Sequence, residues 1–322
     1  MAATRDSVGV TATTSFHICP LCEATCGLEL NVEDGVITRV RGDREHVFSR
    51  GYICPKGAAF GKLVHDPDRL RRPLVRDREG GGHREVGWAE AFAIVDERLR
   101  AVVDTHGRGA IAAYIGNPNA HTLSGGQYVR PFLRALGTPN LFSASTVDQM
   151  PKHVACGYLF GDPLAIPVPD IDRTDLLVML GANPLESNGS LCTAPDFPGR
   201  LEALQARGGR FIVIDPRRSK TAAVADEHIP IRPGADVFLL AAIVHVLFAD
   251  GLIDLGRLAD HVVGVDDVAR LTSDFAPDAV ATRTGITADR IRGLAHELAE
   301  SPAAAVYGRI GTCTVEFGTL TS

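Results

Sequence analysis

Leu176-Leu177-Val178-Met179-Leu180-Gly181-Ala182-Asn183-Pro184 is a run of apolar residues halted by a glycine and a proline. A short, continuous apolar run bounded by turn formers marks a strand buried on both faces. The pattern recurs at Phe211-Ile212-Val213-Ile214, which comes after Gly208-Gly209 and stops at Asp215-Pro216-Arg217, with a helical stretch near Arg200 to Arg207 between the two runs. Strand, helix and strand in that order predict an α/β fold with a doubly wound parallel sheet. Further helices are expected over Val237 to Phe248 and Ala288 to Leu298, and one more strand over Ala303 to Tyr307. Toward the N-terminus, Trp88, Ala91, Phe92, Val95, Leu99 and Val102 recur at helical spacing, and Ala110 to Ile115 reads as a short strand.

Composition bounds the function classes. A chain of 322 residues has room for roughly two domains. With 22% charged and 45% hydrophobic residues it has an ordinary globular balance. The net charge of −6 leaves no basic footprint for nucleic acid and no polybasic patch for a membrane surface. The longest apolar run, Phe238 to Ala249, contains His245 and is well short of the roughly 20 residues needed to cross a bilayer. Met1 to Ser15 carries neither an apolar stretch nor twin arginines, so the chain is expected to be cytoplasmic.

Four of the seven cysteines crowd the first block in the pattern Cys19-x2-Cys22-x3-Cys26-x27-Cys54. In a reducing compartment that distribution reads as an inorganic site rather than disulfides. Thiolates are soft ligands for zinc or for an iron–sulfur centre. A structural zinc site draws more often on two separated pairs, whereas three ligands plus a distant fourth favour a cubane cluster. Leu28, Leu30 and Val32 alternate with polar residues, Asp34-Gly35 supplies a tight turn, and Val36 to Arg41 alternates again, so a β-hairpin lies between the third and fourth cysteines.

The fourth cysteine opens Cys54-Pro55-Lys56-Gly57, and only four lysines occur in the chain, Lys56, Lys62, Lys152 and Lys220. Together with Cys19-Pro20-Leu21-Cys22-Glu23-Ala24-Thr25-Cys26-Gly27-Leu28, this segment closely resembles the N-terminus of the molybdopterin oxidoreductases, the family of formate dehydrogenases and of assimilatory and periplasmic nitrate reductases. The resemblance implies a [4Fe-4S] cluster on Cys19, Cys22, Cys26 and Cys54. It also implies a bis(molybdopterin guanine dinucleotide) cofactor with Mo or W, and a Lys56 that helps carry electrons between pterin and cluster. It extends to Leu177 to Pro184, where Gly181 and Asn183 would contact one guanine dinucleotide arm, and to Val213 to Arg217 followed by Thr221. There Asp215 would accept from ribose or guanine, and Arg217 would fork onto phosphate. Arg232-Pro233-Gly234-Ala235-Asp236 resembles the family's Pro-Gly-Thr-Asp turn, with Ala235 in place of Thr. Gly234 and Asp236 would complete the crevice, although Asp236 also suits a plain helix cap. No G-x-G-x-x-G follows a strand, which argues against an NAD site.

Family members carry a metal ligand in the stretch matching Gly137-Thr138 through Gly157-Tyr158. Counting from the front gives Asp148 and counting from the back gives Met150; a carboxylate is the better ligand for an oxidised metal, with a loop or cap role for Asp148, or a metal without a protein ligand, as the alternatives. His153, beside Lys152, is the expected proton acceptor or substrate-orienting group, with a structural histidine as the alternative. The expected domains are 1–70 for the cluster, 71–147 for the first part of an α/β domain, 148–302 for a Rossmann-like nucleotide domain and 303–322 for the start of a return to the second domain. The family's chains continue for several hundred residues, so the sequence is read as their N-terminal portion. The expected function is a catalytic subunit acting on a small molecule, most like a formate dehydrogenase, working with an electron-transfer partner. Nitrate reduction, a non-catalytic iron–sulfur carrier and a non-redox use of the cofactor such as hydration stand as alternatives.

Overall fold

Asp34 and Gly35 both take positive φ (47° and 79°), the conformation a two-residue hairpin turn demands. This turn, in the computed structural model of the protein, joins the first elements of a fold described over residues 12–77, 79–116, 118–192 and 194–322. Most of the Met1 to Ser15 stretch lies outside the described residues. Three strands, β1 (Ala12–Ile18), β2 (Gly27–Glu33) and β3 (Val36–Gly42), form an antiparallel sheet in the order β1-β2-β3. The expected hairpin is β2 and β3, while β1 is an addition to it. Leu28 and Leu30 point inward with Cys19, Ala24 and Cys26 and form the core of this block.

The chain divides into two compact units, one ending at Ala144 and the other beginning at Ser145. The block expected to end at residue 70 therefore shares a unit with residues up to Ala144. The remainder of that unit contains a short hairpin of β4 (Leu74–Asp77) and β5 (Gly82–Glu85), the helix Trp88–His106, and a parallel pair of β6 (Ala112–Ile115) and β7 (Asn140–Ser143) separated by the helix Leu123–Leu136.

The second unit is built on four parallel strands in the order β10-β9-β8-β11. These are β8 (Leu176–Leu180), β9 (Arg210–Ile214), β10 (Glu227–Ile229) and β11 (Ala304–Gly308). Alternation along the strands sends Leu176, Val178, Leu180, Ile212 and Ile214 to one face, where they pack against the helices Asp236–Ala249, Pro277–Thr284 and Ala288–Glu300. Leu177, Met179, Phe211 and Val213 point to the other face, against the helix Phe197–Ala206 and Ala222. Every residue of β8 is buried because both faces are covered, which is why its sequence is uniformly apolar.

The strand expected over Ala303 to Tyr307 forms over Ala304–Gly308 and pairs in parallel register with β8 from Ala304↔Leu176 to Gly308↔Leu180. Tyr307 holds it there, buried in the same cluster as Leu177 and Met179 with its hydroxyl donating to Ser190 O at 2.5 Å.

Candidate functional site: a four-thiol loop and a strand-end cavity

The first site lies in the N-terminal unit. Between β1 and β2 the chain folds back so that Cys19 N donates to Cys26 O at 2.8 Å, and Thr25 turns at φ 48°. Cys54 caps the short helix Pro55–Ala58, and its Sγ accepts from Gly57 N at 3.4 Å. A Cβ on Gly57 would stand 3.0 Å from the Ile53 side chain and 3.9 Å from Cys19 Sγ, so the turn is packed closely by Ile53 and touches one of the thiols. Burial pushes the Cys26 thiol up to about 11, and Cys22, Cys19 and Cys54 add to the effect. Cys19 is raised for the same first reason, against a lowering pull from Lys56. Cys19 and Cys26, whose ionisation burial opposes, become thiolates only beside positive charge, as a metal centre supplies. Among the described residues, no three His, Cys, Asp or Glu side chains converge closely enough to hold a single ion. Lys56 is exposed, one residue before Gly57.

The second site lies at the carboxyl ends of the parallel strands, the position where open α/β sheets bind ligands. Here a cavity of about 640 Å³ is lined by Gly181, Asn183, Asp215, Arg217, Gly234 and Asp236, all six residues expected to meet a nucleotide. Asp148 lines it as well. The turn after β8 is set by Gly181 (φ 54°), whose N–H donates to Ile214 O at 3.0 Å and whose carbonyl accepts from Gly311 N at 3.0 Å. A Cβ on Gly181 would lie 2.6 Å from Gly311 Cα, so the two turns meet backbone to backbone. Asp215 Oδ1 accepts from Arg217 N at 2.8 Å, leaving the exposed Arg217 guanidinium at the mouth. Asp236 opens its helix but is only 5% exposed; burial raises its carboxyl above the usual carboxylate range, and Asp215 contributes in the same direction.

Sequence reasoning missed Arg309. It is 5% exposed, yet it lines the cavity. Nη1 reaches Asp148 Oδ1 at 2.9 Å and Asp148 O at 3.2 Å, while Nη2 donates to Asp148 Oδ2 at 3.2 Å and to Ser190 Oγ at 2.7 Å. Asp148, read from the sequence as the metal ligand, thus has both oxygens engaged by a guanidinium. The available signal was the repeated pattern of a strand ending close to a glycine, Leu180-Gly181 and then Gly308-Arg309-Ile310-Gly311. His153 stands elsewhere: its Nδ1 donates to Pro163 O at 2.7 Å, and it is not among the residues lining the cavity. Lys152, partly buried, donates to Gly308 O at 2.8 Å, and burial lowers its pKa. Cys156, Cys192 and Cys313 are buried core residues.

A parallel sheet with a cavity at its strand ends, on a chain that also carries a four-thiol loop, is the arrangement that the similarities make specific. The molybdopterin oxidoreductase family model matches residues 69–301, and the model of the molybdopterin oxidoreductase Fe4S4 domain matches residues 14–66. The chain belongs to the molybdopterin oxidoreductase family, a family of enzymes whose domains of these two kinds hold a 4Fe-4S cluster and a molybdopterin with Mo or W. It is similar to formate dehydrogenase H of Escherichia coli (strain K12), with 29% identity over 91% of this chain and 41% of that protein. A nitrate reductase of Symbiobacterium thermophilum is 29% identical over 87% of this chain and 38% of its own length. The solved structure of acetylene hydratase from Pelobacter acetylenicus superposes with a TM-score of 0.80 at 23% identity, covering 95% of this chain and 41% of that one, which shows a shared fold. The chain thus spans about two fifths of the length of these relatives. Among the described residues, no helix is long and apolar enough to cross a membrane.

Proposed function

We propose that this chain carries the cluster and one nucleotide-binding half of a cytoplasmic, formate dehydrogenase-like catalytic subunit. In this reading Cys19, Cys22, Cys26 and Cys54 hold a [4Fe-4S] cluster, and the unit from Ser145 onward is a Rossmann-like domain for one guanine dinucleotide arm of a bis(molybdopterin guanine dinucleotide) cofactor. The observation that carries it is the convergence of Gly181, Asn183, Asp215, Arg217, Gly234 and Asp236, drawn from three separate strand ends and turns, on one cavity. When bound, such a cofactor supplies two-electron chemistry at Mo or W and single-electron exchange with a cluster.

The chain's own residues do the binding and orienting. Arg217, exposed at the mouth, meets phosphate. Asp236, desolvated at the cavity wall, accepts from the two N–H donors on a guanine edge, with Asp215 beside it. Asp148, clamped by Arg309, presents a fixed carboxylate as a first candidate for the metal. Lys56 places a cation next to Cys19. His153 remains the proposed proton acceptor, which would require it to leave Pro163. An electron-transfer subunit or redox protein takes the electrons. Similarity to a nitrate reductase at the same 29% identity supports nitrate reductase-like oxygen-atom transfer, from nitrate, as the second reading.

Metal and pterin analysis of anaerobically purified chain tests the proposal. Iron, sulfide, molybdenum or tungsten and pterin together support it. Iron and sulfide with no binding of GDP to the chain would leave an iron–sulfur carrier and remove the nucleotide reading.

A further inference from the structure

Asn183 stands on the cavity wall with its side-chain oxygen doubly engaged by one residue. Thr221 Oγ1 lies 2.7 Å from Asn183 Oδ1, and Thr221 N donates to the same oxygen at 3.3 Å. Thr221 is fully buried, and its Oγ1 also accepts from Leu185 N at 3.2 Å. This chain of hydrogen bonds has a direction. A main-chain N–H only donates, so Leu185 N–H fills an acceptor site of the hydroxyl, and the single hydroxyl hydrogen points at Asn183. Turning the amide over would set its NH2 group against the Thr221 N–H, donor against donor, and would take from the buried hydroxyl hydrogen the acceptor it reaches at 2.7 Å, the closer of the two contacts. Asn183 is therefore locked with its oxygen toward Thr221, and the Nδ2 group remains for the cavity that Asn183 lines.

We infer that Thr221 is a positioning residue that makes Asn183 a donor-only contact, so that the cavity accepts an acceptor oxygen of a nucleotide, phosphate or base carbonyl, at that point. The inference rests on the nucleotide reading of the cavity. It assigns to Thr221 a task that neither burial nor helix capping requires of it, since Ser219 caps the short helix Lys220–Val224 through its own side chain.

The test is calorimetric titration of the full chain with GDP, and with inorganic pyrophosphate in parallel. Thr221→Ser keeps the hydroxyl and is expected to bind GDP within about twofold of wild type, whereas Thr221→Val is expected to bind about tenfold more weakly. Thr221→Ala removes the same hydroxyl without a new methyl contact and should reproduce the loss if the valine variant fails to fold. In an Asn183→Ala background, Thr221→Val should cost nothing further, because it acts through the amide. Loss with both GDP and pyrophosphate assigns the contact to phosphate; loss with GDP alone assigns it to the base. Wild-type binding by Thr221→Val, or an equal loss in Thr221→Ser, overturns the inference while the nucleotide reading stands. Absence of GDP binding by the wild-type chain overturns that reading and the inference with it.

Discussion

Asp148→Ala should destabilise the second unit more than Arg309→Met, although both substitutions break the same ion pair. The two partners differ in access to water: the Arg309 side chain is 6% exposed and that of Asp148 is 34% exposed. Removing the carboxylate leaves a guanidinium in the interior, held by Ser190 Oγ and one main-chain carbonyl. Stranding a buried charge in this way costs about 3–5 kcal/mol. Removing the guanidinium instead leaves a carboxylate that water can reach, and it also eliminates the buried Arg309 Nε, which has no hydrogen-bond partner. Such an orphan donor carries a penalty of about 1–3 kcal/mol that the methionine relieves. The net loss for Arg309→Met should therefore be about 1–2 kcal/mol, half that of Asp148→Ala or less. Urea unfolding followed by far-ultraviolet circular dichroism reads the difference as a shift in midpoint at unchanged slope. Equal losses, or a larger loss for Arg309→Met, would show that the guanidinium is not sequestered as described.

Three further outcomes are expected. Anaerobically purified chain should be brown and contain iron and sulfide, Cys22→Ala should lose both, and stoichiometric zinc in their place would reject the cluster. Asp236→Asn should be more stable than wild type at neutral pH: the native carboxyl is raised by burial above 3.8, so the native state takes up the extra proton first, and wild type gains stability as pH falls through that raised value and loses it as pH rises. The advantage of the variant in urea midpoint should shrink toward pH 4, and an advantage that grows with acid would contradict the sign. Arg290→Lys should cost about 1–2 kcal/mol in the same assay, because a lysine cannot reproduce the fork onto both oxygens of Glu227 (2.7 Å each) together with the reach to Glu297 at 2.9 Å.

How much of the fold was legible in the sequence depends on how local each signal is. Asp34-Gly35 encodes its turn in two residues, and the apolar runs of β8 and β9 reveal two-sided burial without any partner in view. The carboxyl-end turns were legible for the same reason, since a strand that stops at Gly181 or at Asp215-Pro216 shows where its loop begins. β1 was not: Thr13, Thr14 and Ser15 lie on an exposed edge strand with no alternating apolar face, and only pairing with β2 reveals it. Arg309 was hidden because its burial depends on Asp148 and Ser190, both more than a hundred residues away in the chain. The residues around Asp148 and His153 carried a register ambiguity of two positions, and no periodic pattern in that stretch could resolve it.

The contact between Gly181 and Gly311 has a consequence for how this cavity can vary. Each turn is seated on the main chain of the other, and neither position admits even a methyl group. The floor of the cavity is therefore drawn by peptide planes, whose shape is indifferent to which side chains surround them. Residues at the mouth such as Glu186, Arg217 and Thr314 can be exchanged without moving that floor. A lineage of such chains can change what its rim recognises while every member keeps the same keel.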